Sequence, residues 1–364
     1  MLQAMLKGSW IHSCSFGTNT KELYSAEAEM IDRFVFSRPK FLVCLASGND
    51  GDTGGRVNGA AGMKNGIVVG ATYDLQQVKG TTYDEDGVLA DPANMVAWSN
   101  PGPGEGGRVK PDVVAPGVAV LSTASQDPEF QNAVKKVAGF TIPGTRKINK
   151  GGKAPNDLYY YSSGTSMATP LVSGCLAVLR QALMLRNRDQ EPNASLVKAL
   201  LIHGAKDLNH HGGTYQKKPI GPAPNPIEGH GRVHMERSIE PVLDERNESH
   251  GMWEDQVVSI TETANSMRWT PNSTVLNQLY DVHITLVYTD RPGRDLQSEL
   301  VYDVKIENGN LKGKVFSSSR GDNVLTLKCP NIPASTNFTI IVRAKRLYNA
   351  QPQAFSLVWS TRKK

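Results

Sequence analysis

The sequence has few cysteines and no paired cysteine motif. Its four cysteines, Cys14, Cys44, Cys175 and Cys329, stand in apolar surroundings, and none belongs to a C-x-x-C pair. This pattern excludes a zinc site built on cysteine pairs and a disulfide framework. Carboxylates are plentiful, but they form no spaced loop of calcium ligands. We therefore expect buried free thiols, no metal site and no cofactor.

The chain also lacks long apolar runs and a strong charge of one sign. No run of 18 apolar residues is present, so no membrane span is expected. The N-terminal MLQAMLKGSW lacks the apolar core of a signal peptide. The formal net charge is only +5, and the basic cluster within residues 146–153 has no interleaved aromatic residues. We expect a solvated loop there and no nucleic-acid partner.

Four N-x-S/T sequences bear on the location of the protein. They begin at Asn193, Asn247, Asn272 and Asn337. They are compatible with glycosylation on a secretory route, although such triplets also arise by chance. We expect a secreted, secretory or vesicular location for the intact protein.

The first part of the chain alternates strand and helix signals. The hydrophobic fraction of 39% over 364 residues is enough for sizeable cores. Short apolar runs at 40–47 and 66–72 are typical of strands buried on both faces of a parallel sheet. Residues 25–39 predict a helix that Ser25 caps and Pro39 stops. We therefore predict an α/β domain over residues 1–245, with a surface insertion at 126–157.

Beyond residue 245 the apolar period changes to two. The alternating segments, separated by Gly, Pro, Asn and Asp turns, are QVVSITET, VHITLVYTD, YDVKIENGN, NVLTLKC, FTIIVRAK and FSLVWST. They predict an all-β sandwich over residues 246–364, joined through the charged linker 243–251.

One serine stands directly before an apolar helix, in YYYSSGTSMATPLVSGCLAVL at residues 159–179. Ser166 has two interpretations, as a helix N-cap or as a nucleophile at a helix N-terminus, where free N–H groups stabilise an oxyanion. Gly164 leaves room for a substrate, and Pro170 is expected early enough in the helix to cost no hydrogen bond. The competing G-x-S-x-G elbow of α/β-hydrolases requires glycine where Ala168 stands.

The motif SSGTSMATPLVSG resembles the nucleophile motif of the subtilisin-like serine proteases, peptidase family S8. The matching motifs, in the order of that family, are IHSCSFG, LVCLASGNDG, NGIVVGAT, MVAWSNPGP, GRVKPDVVAPG and SLVKALLIHGA. The resemblance covers about residues 9–240, and the C-terminal part is similar to the sandwich of some large alkaline subtilases. It implies a partial subtilisin-like parallel sheet with helices on both faces, followed by an all-β jelly-roll-like sandwich.

The resemblance also implies a peptide site. Ser166 corresponds to the nucleophile, and Asn49 corresponds to the side chain that completes the oxyanion hole. The strand that pairs with the substrate corresponds to Ser15, Phe16 and Gly17; the opposite wall corresponds to Ala46, Ser47 and Gly48, with Thr165 beside the nucleophile. The implied partner is a peptide or protein substrate, added as one more strand.

The aspartate and histidine of the family triad precede the substrate-binding strand, where this sequence has neither. His12, His203, His210, His211, His230 and His234 all lack the family context. We expect this chain to be the C-terminal part of a subtilase, largely inactive alone. It would bind the missing N-terminal segment of the same protein or self-associate through unpaired strands. Asp112 is expected to be structural, paired with Arg108 or Lys110.

Two other functions remain open. The first is a non-catalytic peptide-binding or assembly module that keeps the fold without the chemistry. The second is an esterase, for which Asp207 and His230 follow the serine in the required order; the order of the upstream motifs argues against it.

Overall fold

The computed structural model describes residues 1–17, 20–74, 91–123, 125–129, 159–243, 249–259, 265–269, 279–319, 321–333 and 336–363. The helices are α1 (Leu2–Leu6), α2 (Ala26–Phe36), α3 (Thr165–Arg186), α4 (Ala194–Gly204) and α5 (Met235–Leu243). The first strands are β1 (Ile11–Cys14), β2 (Leu42–Ala46), β3 (Ile67–Thr72), β4 (Val113–Pro116), β5 (Val120–Thr123), β6 (Tyr159–Ser162), β7 (Thr214–Tyr215) and β8 (Lys218–Pro219). The remaining strands are β9 (His250–Val258), β10 (Asn265–Trp269), β11 (Leu279–Val287), β12 (Glu299–Ile306), β13 (Val315–Ser317), β14 (Val324–Pro333), β15 (Phe338–Arg346) and β16 (Gln353–Lys363).

The N-terminal part is built on a four-stranded parallel sheet. Its order is β1-β2-β3-β4, and each neighbouring pair is parallel. Leu42 and Cys44 of β2 belong to the core shared with α3 and α4, whereas Val43 and Leu45 belong to the core shared with α2. Because alternate side chains enter opposite cores, β2 is apolar throughout. The predicted sheet with helices on both faces is confirmed.

Helix α2 begins and ends as its sequence predicts. Ser25 has an extended backbone, and its side chain accepts a hydrogen bond from the Ala28 N–H at 3.4 Å. Glu27 and Glu29 lie in the first turn, where carboxylates are favoured by the helix dipole. The last helical residue is Phe36, three positions before Pro39.

The C-terminal part is a sandwich of two four-stranded sheets. The strand orders are β10-β15-β12-β13 and β14-β11-β16-β9, and the pairing is antiparallel. Side chains from both sheets, including Ile284, Tyr302, Phe338 and Leu357, fill one core. The predicted sandwich is therefore confirmed as part of the fold class. Most of the predicted linker and insertion lies outside the described residues.

Helix α3 is the longest helix of the described chain. It packs on β1, β2, β3 and β4, and its inward residues, among them Val172, Leu176 and Leu183, are part of the sheet core. By length and composition alone it could also cross a membrane, as core helices often can. The packing against four strands is that of a core helix. Its opposite face exposes Leu171, Val178 and Leu185.

Candidate active site

A cleft opens where β1 and β2 end and α3 begins. The residues that line it are Ser15, Phe16, Gly17, Leu45, Ala46, Ser47, Gly48, Asn49, Asp50, Asn58, Ala61, Asn100, Thr165 and Ser166. All nine residues predicted for the site belong to this lining. The carboxyl ends of parallel strands form one edge of a sheet, which explains why segments far apart in sequence meet here.

Ser166 is the second residue of α3 and does not cap it. The helix begins after Gly164, the N-cap residue, which has no side chain to cap the first turn. Gly164 has a φ of 154°, and a β-carbon there would lie 3.5 Å from the Ser166 amide nitrogen. The N-cap interpretation of Ser166 is therefore wrong. The first-turn amides of a helix have no intrahelical acceptor, so this serine stands at a helix terminus that favours negative charge.

Two serines exchange hydrogen bonds across the cleft. The Ser166 hydroxyl donates to the Ser15 carbonyl at 3.0 Å, and the Ser15 hydroxyl donates to the Ser166 carbonyl at 2.8 Å. Pro170 is the sixth helical residue, so its missing N–H would otherwise have bonded the Ser166 carbonyl. The expectation that Pro170 costs no hydrogen bond is wrong. Ser15 replaces the missing donor and ties β1 to α3.

Asn49 lies on the other side of the serine. Its carboxamide oxygen accepts the Thr165 N–H and the Thr165 hydroxyl, both at 2.9 Å. Because the oxygen accepts both bonds, the NH₂ group remains the donor end of this amide. A β-carbon at Gly164 would lie 3.5 Å from the Asn49 amide nitrogen. Ser166 and Asn49 thus both line the same cleft.

Asn100 supports the loop that carries Asn49, a role that sequence reasoning missed. Its side-chain oxygen accepts the Asp50 N–H at 2.7 Å, and its nitrogen donates to the Arg56 carbonyl at 3.2 Å. Gly48 has a φ of 107°, and a β-carbon there would lie 2.2 Å from the Asn100 side-chain nitrogen. Asn100 belongs to the motif MVAWSNPGP, one of those that resemble the subtilisin-like family, but the sequence alone did not indicate what this asparagine does.

Among the described residues, no histidine forms a hydrogen bond with Ser166. His203 lies between the hydroxyls of Thr285 and Ser360, at 3.2 and 2.7 Å. This serine–histidine pair is buried between the two domains and does not reach the cleft. Burial lowers the pKa of His203 well below its usual value.

The residues considered for the esterase alternative do not join the serine. His230 is buried, neither ring nitrogen has a partner among the described residues, and burial lowers its pKa to about 4. Asp207 accepts backbone N–H groups of Asn209 and Ala223. Neither residue lines the cleft.

Asp112 is a structural carboxylate, as predicted. It pairs with Lys110 at 2.5 Å and with Lys198 at 2.8 Å, and its neighbouring lysines hold its pKa below the usual value against the effect of burial. The predicted alternative partner, Arg108, instead donates to the Arg294 carbonyl. All four cysteines are free, and Cys175 is only partly buried. The described residues contain no cluster of three or more potential metal ligands.

Known proteins are similar to about half of this sequence. The 'Serine protease/ABC transporter B family protein tagD' of Dictyostelium discoideum is 26% identical over 274 residues, which are 56% of this chain and 14% of that protein. The 'Serine protease AprX' of Bacillus subtilis is 30% identical over 163 residues, 45% of this chain and 30% of that protein. The chain thus spans less than a third of the length of these relatives.

Solved structures resemble the chain more distantly. Fervidolysin from Fervidobacterium pennivorans, described as 'a keratinolytic enzyme related to subtilisin', has a TM-score of 0.39 and 16% identity, covering 93% of this chain and 37% of that one. A likeness this distant does not identify the family of the chain. The sequence model of the subtilase family, 'Peptidase_S8', matches residues 2–230, which are more than half of the chain. The chain therefore belongs to the subtilase family.

Proposed function

We propose that the intact protein is a serine endopeptidase in which Ser166 is the nucleophile. The observation that carries this proposal is the placement of the Ser166 hydroxyl, at the start of α3, in one cleft with the Asn49 side chain. The hydroxyl gives its proton to the general base and attacks the scissile carbonyl; the peptide C–N bond then breaks, and the amine leaves with that proton. Water hydrolyses the resulting acyl-enzyme, which releases the acid and restores the serine. The Ser166 N–H and the Asn49 amide stabilise the oxyanion of each tetrahedral intermediate.

The substrate in this proposal is an extended peptide. Ser15, Phe16 and Gly17 continue from β1 along one side of the cleft, and Ala46, Ser47 and Gly48 continue from β2 along the other. A peptide added as a strand gains main-chain hydrogen bonds from such segments, while the pocket between them selects a side chain. Phe16 is 76% exposed at the entrance, where a substrate can cover it.

The general base is proposed to come from a segment of the intact protein that this sequence does not contain, or from another chain. In the described sheet β1 pairs only with β2, so its other edge is free to take a further strand. A parallel strand there would end about 5 Å from the end of β1, beside Ser15 and Ser166.

Fluorophosphonate labelling of the intact protein tests the catalytic proposal. We expect one label on Ser166 and none in the matched variant Ser166→Ala. Asn49→Ala is expected to slow labelling by about 10²–10³, because one oxyanion donor is lost. The chain without a base should label only slowly. Absence of labelling in a folded, intact protein would contradict the proposal.

A non-catalytic peptide-binding module is the second candidate. The observation that favours it is that the Ser166 hydroxyl donates to the Ser15 carbonyl and to no histidine among the described residues. This candidate predicts peptide affinity without labelling in the intact protein.

We also propose a secretory or vesicular route for the intact protein. Asn337 is partly exposed in its N-F-T sequence, as an acceptor of a glycan must be, whereas Asn193 is 7% exposed. A glycan on Asn337 is the observation that tests this route.

A further inference from the structure

One turn of the subtilase domain is held by the sandwich. Lys64 follows the short 3₁₀ helix Gly59–Gly62, and its side chain is fully buried. Its ammonium group donates to the Asp290 carboxylate at 2.5 Å, to the Arg291 carbonyl at 2.6 Å and to the Asp295 carbonyl at 3.0 Å. An ammonium group has three donors, so every one of them ends in the sandwich loop 288–298.

The next residue makes a second connection to the same loop. The Asn65 side chain donates to the Asp290 carbonyl at 2.7 Å and accepts the Asp290 N–H at 2.9 Å. The Asn323 side chain donates to the Lys64 carbonyl at 3.2 Å and to the Tyr288 carbonyl at 3.0 Å. The turn at Lys64 and Asn65 is therefore hydrogen-bonded to the sandwich through both its side chains and its main chain.

Asp290 holds the loop in the shape that the turn requires. Its carboxylate accepts the Gln297 N–H and the Ser298 N–H, both at 2.9 Å, in addition to Lys64. The side chain of Asp290 is fully buried. A buried ion pair of this kind does not by itself stabilise a protein, but loss of one partner leaves an uncompensated charge. The arrangement specifies geometry more than it adds stability.

The main chain of the turn is fixed from the subtilase side. The Asp32 carboxylate on α2 accepts the Lys64 N–H at 3.0 Å and the Asn65 N–H at 2.9 Å. Lys198 on α4 donates to the Gly66 carbonyl at 2.6 Å. The turn is therefore a junction of α2, α4 and the sandwich.

This junction lies next to a wall of the cleft. Asn58 and Ala61 line the cleft, and only Gly62 and Met63 separate Ala61 from Lys64. A β-carbon at Gly62 would lie 1.8 Å from the Leu23 carbonyl oxygen, and Met63 is fully buried. Because this two-residue connection is short and tightly packed, a displacement of the turn at Lys64 also displaces Asn58 and Ala61 in the wall of the cleft.

We infer that Asp290 is a positioning residue for the peptide cleft, and that the sandwich is thereby a working part of that cleft. The inference rests on the proposed function only in taking the cleft as the peptide site. Asp290 touches no substrate. It acts through Lys64 and Asn65 on the wall formed by Asn58 and Ala61.

Hydrogen exchange on the full chain tests the structural half of the inference. In Asp290→Asn, we expect exchange at residues 58–65 to rise at least about tenfold, because local opening there no longer has to break a charged pair. Exchange in β2 and β11 should stay unchanged. The matched control is Glu191→Gln, which breaks the ion pair with Arg180 away from the cleft and should leave 58–65 protected.

Peptide binding tests the functional half. For Asp290→Asn in the intact protein, we expect the Kd of a substrate-like peptide to rise about tenfold. The rate at which a small fluorophosphonate labels Ser166 should not change, because that reagent does not need the wall. A purely structural role would change both readouts together or neither.

The outcomes separate the two proposals. Unchanged exchange at 58–65 in folded Asp290→Asn would overturn the inference, as would equal loss of peptide affinity and labelling rate. If the intact wild-type protein neither binds peptide nor labels, the proposed function fails while the exchange result still stands. Should Asp290→Asn not fold, Asn323→Ser, which removes the bond to the Lys64 carbonyl, carries the same measurements.

Discussion

At the scale of single residues, the exchange of hydrogen bonds between Ser15 and Ser166 explains how a proline is tolerated beside the nucleophile. Pro170 leaves the Ser166 carbonyl without its helical donor, and the Ser15 hydroxyl supplies another at 2.8 Å. A buried carbonyl without a donor costs about 1–3 kcal/mol. Ser15 therefore stabilises the first turns of α3 as well as lining the cleft.

A double-mutant cycle tests this compensation. We expect Ser15→Ala to lower the free energy of unfolding by about 1 kcal/mol in the natural background. In Pro170→Ala the restored N–H can bond the Ser166 carbonyl, so the same substitution should cost markedly less. Urea denaturation of the four proteins measures the coupling, and Ser13→Ala, at an exposed position of β1, is the control. Equal costs in both backgrounds would refute the compensation.

The motifs predicted which residues share the cleft better than they predicted what each residue does locally. Ser166 and Asn49 meet as the family motifs imply. The sequence could not show that Ser166 lies one residue inside the helix, because the cap position depends on the φ of Gly164. Nor could it show that Asn100 supports Gly48, since that contact joins loops about 50 residues apart.

At the scale of elements, apolar pattern predicted the buried strands and missed the short ones. The runs at 40–47 and 66–72 contain β2 and β3, because strands buried on both faces are apolar without interruption. The strand β13 has three residues and β7 has two, which is too short for an alternation to be visible. Their positions are set by the neighbouring strands they pair with.

The exposed face of α3 carries a prediction of association. Leu171, Val178 and Leu185 recur every seven residues, with side chains 43%, 47% and 75% exposed. These three side chains form an exposed apolar face, which water solvates poorly. We expect the chain alone to self-associate, and a segment that supplies the base to displace that association.

Light scattering on a variant with an added charge measures this self-association. Val178→Glu is expected to shift the chain toward monomer, because association would bury the new carboxylate. Gln190→Glu adds the same charge at an exposed site beyond the helix and should change nothing. A monodisperse wild-type chain that melts cooperatively would contradict the prediction.

At the scale of the whole molecule, both polar and apolar contacts join the subtilase part to the sandwich. The sequence alone does not reveal these contacts. Lys64 and Asp290 are 226 positions apart. Lysine and aspartate usually lie at the surface, yet both of these side chains are fully buried. Helix α4 packs on β11 and β16, so apolar contacts join the same domains. We therefore expect the domains to unfold together.

Buried histidines make this unit sensitive to acid. Burial lowers the pKa of His230 to about 4 and of His283 to about 3, and it lowers the pKa of His203 well below 6.5. The unfolded chain binds protons at these sites near pH 6.5, whereas the folded chain does not. Stability must therefore fall as the pH decreases from about 6.5 toward 4. Glu228 acts in the opposite sense, because burial raises its pKa to about 7, so its contribution is lost as the pH rises from about 4.5 to 7.

His230 offers the sharpest test of this acid sensitivity. Its shift corresponds to roughly 3 kcal/mol lost between pH 6.5 and 4. Both ring nitrogens are buried and lack a partner among the described residues, so His230→Leu removes no hydrogen bond. We expect this variant to change stability little at pH 7.5 and to flatten the decline toward pH 4.5, as measured by urea midpoints. Glu228→Gln should instead steepen that decline, because it removes one of the buried carboxyl groups whose raised pKa acts in the opposite sense. A His230→Leu variant with the full wild-type slope would show that acid sensitivity arises elsewhere in the molecule.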